Sequence, residues 1–355
     1  MDLQSNEAVV TSPTENEPST ADGSRRSTKS PGRVKQFLLL PEFGGLASAV
    51  VAFGVFAILA RNNGFLTLAG LSSWVNVAGD LGVIAGPVGL LMIVGEFDLS
   101  VGSVVGATSV AIALCSGVYN LSPWVGVLIA AAIGLAVGLI NGLLVVLTKV
   151  PSIIVTLSTM LMVYGGSIAI SNSLTGSAST SVTIGASARL VFGSNWDGFD
   201  VCIAWWLGTA LIATYVMRKT RFGNWAYATG GHKETARNTG VPTGMVKVVL
   251  MVCTSLGAVL SGIFLTMSGQ TGAPSLGSSY NLLAIAVVVI GGVLLSGGYG
   301  SPLGTIFGTV TYAVVSIGIF FVGWDADLAS LFIGLFLLVT MLANNYLKRA
   351  AGGRV

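Results

Sequence analysis

Apolar stretches close to the roughly 20 residues a helix needs to cross a bilayer recur along the whole chain. They fall at 43–60, 75–95, 101–119, 124–148, 150–171, 201–217, 248–267, 282–295, 303–322 and 328–347. In hydrocarbon every backbone N–H and C=O must find a partner inside the protein, so runs of this length select helices. The expected fold is therefore all-α: a polytopic membrane bundle of about ten transmembrane helices. With 9% charged and 53% hydrophobic residues, the 355-residue chain is far from the roughly one-quarter charged composition of soluble domains.

The basic residues set the expected orientation, because Lys and Arg collect on the cytoplasmic side of short loops. Ten spans starting inside place Arg25, Arg26, Lys29, Arg33 and Lys35 of the first segment, Lys149, the six basic residues of a central polar insert, and Lys348, Arg349 and Arg354 on that side. Both termini are then cytoplasmic. Only Arg61 and Arg189 fall outside, where Asp197, Asp200, Asp325 and Asp327 also lie. The net charge of +3 thus reports topology and not affinity for nucleic acid. Residues 1–36, rich in Ser, Thr, Glu and Pro, read as a disordered cytoplasmic tail without a secretory signal. The membrane domain spans 37–349, and 350–355 form a short tail.

The central insert, 218–247, is the longest polar segment between two spans on the cytoplasmic side. Within it Gly230, Gly231, His232, Lys233, Glu234, Thr235, Ala236, Arg237, Asn238, Thr239 and Gly240 read as a short surface helix that follows a glycine pair and stops at Gly240. Two turns of helix are marginal in water unless they dock on something, so a soluble partner is expected; the alternative is a solvated loop held by the bundle. His232, the single histidine, has no second ligand type beside it and reads as a polar contact in that loop.

Polar residues at membrane depth are costly and point to function by default. Glu96, Asp98 and Ser100 lie between the second and third spans. They either line a pathway or, for Asp98 and Ser100, cap the third helix. Asn76 and Asp80 are one turn apart, lining a cavity or sitting at the interface. Asn141 serves as interhelical glue or binds a ligand hydroxyl. The Gly/Ser/Pro stretch 268–280, ending at Tyr280, reads as a re-entrant pathway segment or an ordinary loop. Glycines at four-residue spacing, such as Gly134, Gly138 and Gly142, allow close helix packing within one subunit, with dimerisation the alternative. The Gly-rich hairpins at 95–103 and 291–301 hint at a repeat.

No Gly-Lys dipeptide occurs, which excludes a P-loop, and neither a catalytic triad nor HExxH is present. The three cysteines lack metal or redox spacing, so no metal and no cofactor is expected. An enzyme is poorly supported, and an ion-coupled secondary transporter using Asp80, Glu96 and Asp98 is the alternative transport class.

Five motifs carry a family resemblance: Gly64-Phe65-Leu66-Thr67, Asp98-Leu99-Ser100-Val101-Gly102-Ser103, and Asn141-Gly142 through Pro151 to Leu157. The others are Phe222-Gly223 with Gly230-Gly231, Ala236-Arg237 and Gly240-Val241, then Tyr280 through Ile290-Gly291-Gly292 to Ser296-Gly297-Gly298-Tyr299-Gly300. Over 64–347 the chain resembles permease subunits of bacterial ATP-binding-cassette sugar importers of the ribose, xylose, arabinose and galactoside type. The resemblance implies an inner-membrane permease pair, formed with a second permease copy or paralogue, a homodimer being the expected form. It further implies a periplasmic substrate-binding protein and a cytoplasmic ATPase docked on the insert. The pathway is then expected near Asn76, Asp80, Glu96, Asp98, Ser100, Asn141 and Tyr280. Two departures lie near the expected pathway, so the relatives' sugar specificity does not carry over: Glu96 and Phe97 replace a small and an aliphatic residue, and Asn281 and Leu283 stand where acidic residues often follow the Tyr. The same superfamily includes nucleoside and branched-chain amino-acid permeases, which keeps those substrates open.

Overall fold

The computed structural model describes residues 41–325, 330–335, 338–339 and 341–342. The expected tails 1–36 and 350–355 lie outside those residues, as does half of the last expected span, 328–347. Twelve α-helices are resolved among the complete described segments: α1 Pro41–Leu59, α2 Leu68–Ile93, α3 Val101–Ala113, α4 Pro123–Thr148, α5 Ser152–Thr175, α6 Ala186–Phe192, α7 Cys202–Lys219, α8 Arg221–Gly231, α9 Lys233–Asn238, α10 Thr243–Gly269, α11 Tyr280–Ile290 and α12 Pro302–Val322. A π-helical turn, Leu114–Val118, continues α3. Seven of these helices are long and apolar enough to cross a membrane: α1 to α5, with α3 counted through Val118, together with α10 and α12.

Local chemistry sets the helix ends. Thr67 accepts the Gly70 N–H at 3.2 Å and starts α2 seven residues ahead of the expected span, whose polar Ser72 and Ser73 disguise it. Ser301 caps α12 by accepting Gly304 N–H at 3.0 Å, with Pro302 at the first helical position. Four two-residue strands form two antiparallel pairs, β1 Thr180–Ser181 with β4 Thr271–Gly272 and β2 Asn195–Trp196 with β3 Phe199–Asp200. The second pair closes on Asp197 and Gly198, both at positive φ (50° and 95°), the backbone a tight two-residue hairpin requires.

The centre of the bundle is α3, every residue of which is buried, packed among α4, α5, α10 and α11. By contrast only six of the 24 residues of α5 are buried, so most of its surface faces outward. Gly134, Gly138 and Gly142 lie on the α4 surface that meets α10, against Val259, Val252 and Val248. The glycine stripe is thus consumed by packing within the chain, where the absent Cβ lets two backbones approach.

One expected span is not a simple crossing. The 282–295 stretch becomes α11, 11 residues and therefore about 16 Å long, well short of about 30 Å of hydrocarbon. The remaining depth is covered by 271–280, which runs antiparallel along α3. Ala273 N–H donates to Ser109 Oγ at 2.8 Å, Pro274 packs on Gly106, and Gly102 N–H donates to Asn281 Oδ1 at 2.7 Å.

Candidate functional site

The insert begins where α7 ends in Arg218 and Lys219, with Arg218 Nη2 paired to Glu42 Oε1 of α1 at 2.6 Å. It holds two helices, α8 and α9, hinged at His232. The expected short helix is Lys233–Asn238, and the glycine pair ahead of it, Gly230 and Gly231, forms the last turn of α8. α8 escaped sequence reading because its inward positions are Gly223, Ala226 and Thr229, small residues that carry little hydropathy. Their spacing of three is the signal that could have exposed it.

Of the α9 residues only Ala236 is buried, so Lys233, Glu234, Thr235 and Arg237 present side chains outward. Gly240, at φ 85°, ends the segment by donating its N–H to Arg237 O at 3.0 Å. Beneath the insert three backbones meet. Gly298 N–H donates to Ile93 O at 2.8 Å, and a Cβ on Gly230 would collide with both the Ile93 carbonyl and the Gly298 amide. Tyr227 Oη donates to Gly300 O at 2.9 Å. The two Gly-rich hairpins noted in the sequence are thus in contact with each other and with α8.

Beside this junction Lys247 Nζ of α10 is paired with Glu96. Lys233, the first residue of α9, adjoins the same pair, and the charge of Lys247, aided by burial, holds its ammonium below the usual lysine pKa. Two cations and one carboxylate therefore link α9, α10 and the segment after α2.

Deeper in the bundle that segment carries Asp98, fully buried. Its Oδ1 accepts Ser100 N–H at 2.8 Å and Ser100 Oγ–H at 2.6 Å, and its Oδ2 accepts Thr254 Oγ–H at 2.7 Å. Asn141 Nδ2 donates to Ser100 Oγ at 3.0 Å, and Thr159 Oγ donates to Asn141 Oδ1 at 2.6 Å. Leu99 N–H reaches Thr156 Oγ at 3.1 Å and Phe97 N–H reaches Ser152 Oγ at 3.0 Å. One network therefore joins α3, α4, α5 and α10, and it brings together Asp98, Ser100 and Asn141. Sequence reading missed Ser152, Thr156, Thr159 and Thr254; the first three stand at i, i+4 and i+7 on α5, a polar stripe legible in retrospect.

The network also fixes a depth. Thr254 is 11 residues into α10, about 16 Å from the insert end. Near that level the N-termini of α3 and α11 meet, with Asn281 Oδ1 on Gly102 N–H and Asn281 Nδ2 donating to Met160 Sδ at 3.2 Å. Two interrupted helices pointing their N-termini at one interior level are a recurrent way of building a solute site in transporters. Tyr280, half-buried, opens α11 at this junction.

Asn76 and Asp80 lie toward the end opposite the insert and do not join the Asp98 network. Asn76 is occupied by the β2–β3 hairpin, donating to Gly198 O at 2.8 Å and accepting Asp200 N–H at 2.9 Å. Asp80 lines a pocket shared with Asp200 and Cys202.

Residues 70–341 match the family described as branched-chain amino acid transport system / permease component. The chain belongs to this permease family. It is 32% identical to the inner membrane ABC transporter permease protein YjfF of Escherichia coli (strain K12) over 79% of this chain and 85% of that protein. It is 29% identical to the L-arabinose transport system permease protein AraH of the same organism over 93% of this chain and 97% of that protein, and 27% identical to the ribose import permease protein RbsC over 86% and 94%. No solved structure matches. The chain is a multi-pass membrane permease.

Proposed function

We propose that this chain is the membrane subunit of an ATP-binding-cassette importer, carrying a sugar or polyol across the bacterial inner membrane. The observation that carries the reading is α9: a helix with one buried residue, exposed on its remaining faces, yet anchored beside the Glu96–Lys247 pair and joined to α8, which packs on the 291–301 Gly-rich hairpin. A helix too short to persist alone in water becomes a useful handle when a partner covers it. In this reading 218–247 is the coupling loop, Gly230 to Gly240 the docked segment, and the hydrolysing machine a separate cytoplasmic ATPase. The relatives' names, an arabinose transport permease and a ribose import permease, support a sugar as the cargo.

The same reading has ten spans with both termini in the cytoplasm. α7, α11 and the last expected span, at 328–347, complete the seven long helices, and the basic insert faces inward. A periplasmic binding protein delivers solute at the opposite end, and the outward face of α5 is available to a second permease copy. Asp98, Ser100 and Asn141 hold the helices around the pathway, which passes the α3–α11 junction at Tyr280 and reaches Asp80.

Photocrosslinking from Thr235 in cells tests this directly. Capture of a P-loop ATPase is the expected result. Failure to capture one, or labelling of residue 235 by an impermeant reagent from the periplasm, would reject the proposal.

A further inference from the structure

At the end opposite the insert a pocket of about 200 Å³ opens between α2, α6, the β2–β3 hairpin, α7 and α10. Its polar lining comes from Asp80, Asp200, Arg189, Asn195, Ser268 and Gln270. Phe192 and Phe264, both buried, form an apolar wall, and Phe192 is backed by the stacked ring of Trp205 at 5.8 Å. We propose that this pocket is a receiving site for one neutral polyhydroxylated molecule of monosaccharide size, occupied as solute enters the permease. The inference rests on the importer reading above and adds to it the site and its ligand chemistry.

Three observations carry it. The volume equals six or seven waters at about 30 Å³ each, which suits a single sugar ring. The lining mixes obligate acceptors, the carboxylates, with obligate donors on Arg189, and with amides that do both. A hydroxyl is donor and acceptor at once, so a ring of hydroxyls satisfies such a wall, whereas a bare cation meets Arg189 and an anion meets two aspartates. The wall is also held in place: Asn195 Nδ2 donates to Asp200 Oδ1 at 2.7 Å, and Asn195 Oδ1 accepts Gly198 N–H at 2.9 Å. Among the described residues no carboxylate forms an ion pair with Arg189. That residue is one of the two cations that break the charge asymmetry of the loops, and the pocket gives its charge a use.

The experiment places Ser268→Cys at the exposed rim of the full-length chain in lipid nanodiscs. Modification by an impermeant maleimide is read at residue 268 by peptide mass spectrometry. D-Ribose, L-arabinose, D-galactose and D-fructose are each added at millimolar concentration, with sodium chloride and L-leucine as competitors of other chemistry. At least one sugar is expected to slow modification several-fold, and adding Arg189→Ala or Asp80→Asn to the rim variant is expected to abolish that protection. Arg189 is exposed, so its variant keeps the fold even where the Asp80 variant does not. Protection by sodium or leucine instead of any sugar, or by no compound, overturns the inference. ATP-driven uptake by the reconstituted importer separates the two readings: uptake without protection removes only the pocket, whereas absence of sugar uptake removes the importer assignment.

Discussion

Glu96, on the segment that leads from α2 into α3, is paired with Lys247 in the second turn of α10. Both side chains are nearly enclosed, at 12% and 8% exposure. Removing one partner strands the other charge, at a cost of about 3–5 kcal/mol. Glu96→Gln or Lys247→Met is therefore expected to lower thermal stability sharply. The double substitution should recover most of the loss, and strictly additive losses in a double-mutant cycle would contradict direct pairing.

Neighbouring glycines in α8 are expected to behave differently. A methyl group at Gly230 meets the Ile93 carbonyl and the Gly298 amide, whereas at Gly231 nothing lies within 4 Å. Gly230→Ala should reduce folded protein in the membrane and Gly231→Ala should not, as judged by size-exclusion of solubilised protein.

In the proposed importer the exposed Glu234 and Arg237 side chains of α9 bear on coupling. Glu234→Ala with Arg237→Ala leaves the packed residue Ala236 in place and should change stability by less than about 0.5 kcal/mol. Transport and substrate-stimulated ATP hydrolysis in proteoliposomes should fall together. Unchanged values for both would show that this helix transmits nothing.

Asp98→Ala leaves the Ser100 amide and hydroxyl without their acceptor, each at about 1–3 kcal/mol, and leaves Thr254 only the Met251 carbonyl. Loss of the assembled protein is the expected outcome, with Asp98→Asn retaining part of it through the remaining amide oxygen. Wild-type stability of the alanine variant would show that the network does not hold the helices together.

Lys233 gives a pH test. Its folded pKa lies below the ordinary value of about 10.4, chiefly because of Lys247. Between those two values the unfolded chain holds more protons, so stability rises with pH across that window and is level below it. Lys233→Met should flatten the rise in alkaline melting profiles, and an unaltered rise would assign it to other groups.

Much of the bundle is legible because hydropathy reports where a helix can sit in lipid. It does not report the route a chain takes. Residues 282–295 are apolar enough for a span, yet the helix stops at Ile290, since Gly291 and Gly292 turn the backbone against Gly304 and the α12 start. Asp98, Ser100 and Asn141 stand out as polar residues in apolar runs. Their partners Thr156, Thr159 and Thr254 do not, because a threonine in a membrane helix can satisfy its hydroxyl on its own backbone. The pocket was less visible still: apart from Asp80, its polar lining comes from short irregular segments and helix ends distant in sequence.

The meeting of Ile93, Gly230 and Gly298 has a mechanical corollary. Main chain touches main chain there, with no pliable side chain interposed, so a push on the handle reaches α2 and the opposing hairpin with little give. In the proposed importer, a displacement of the docked helix would then arrive at α2 almost undiminished.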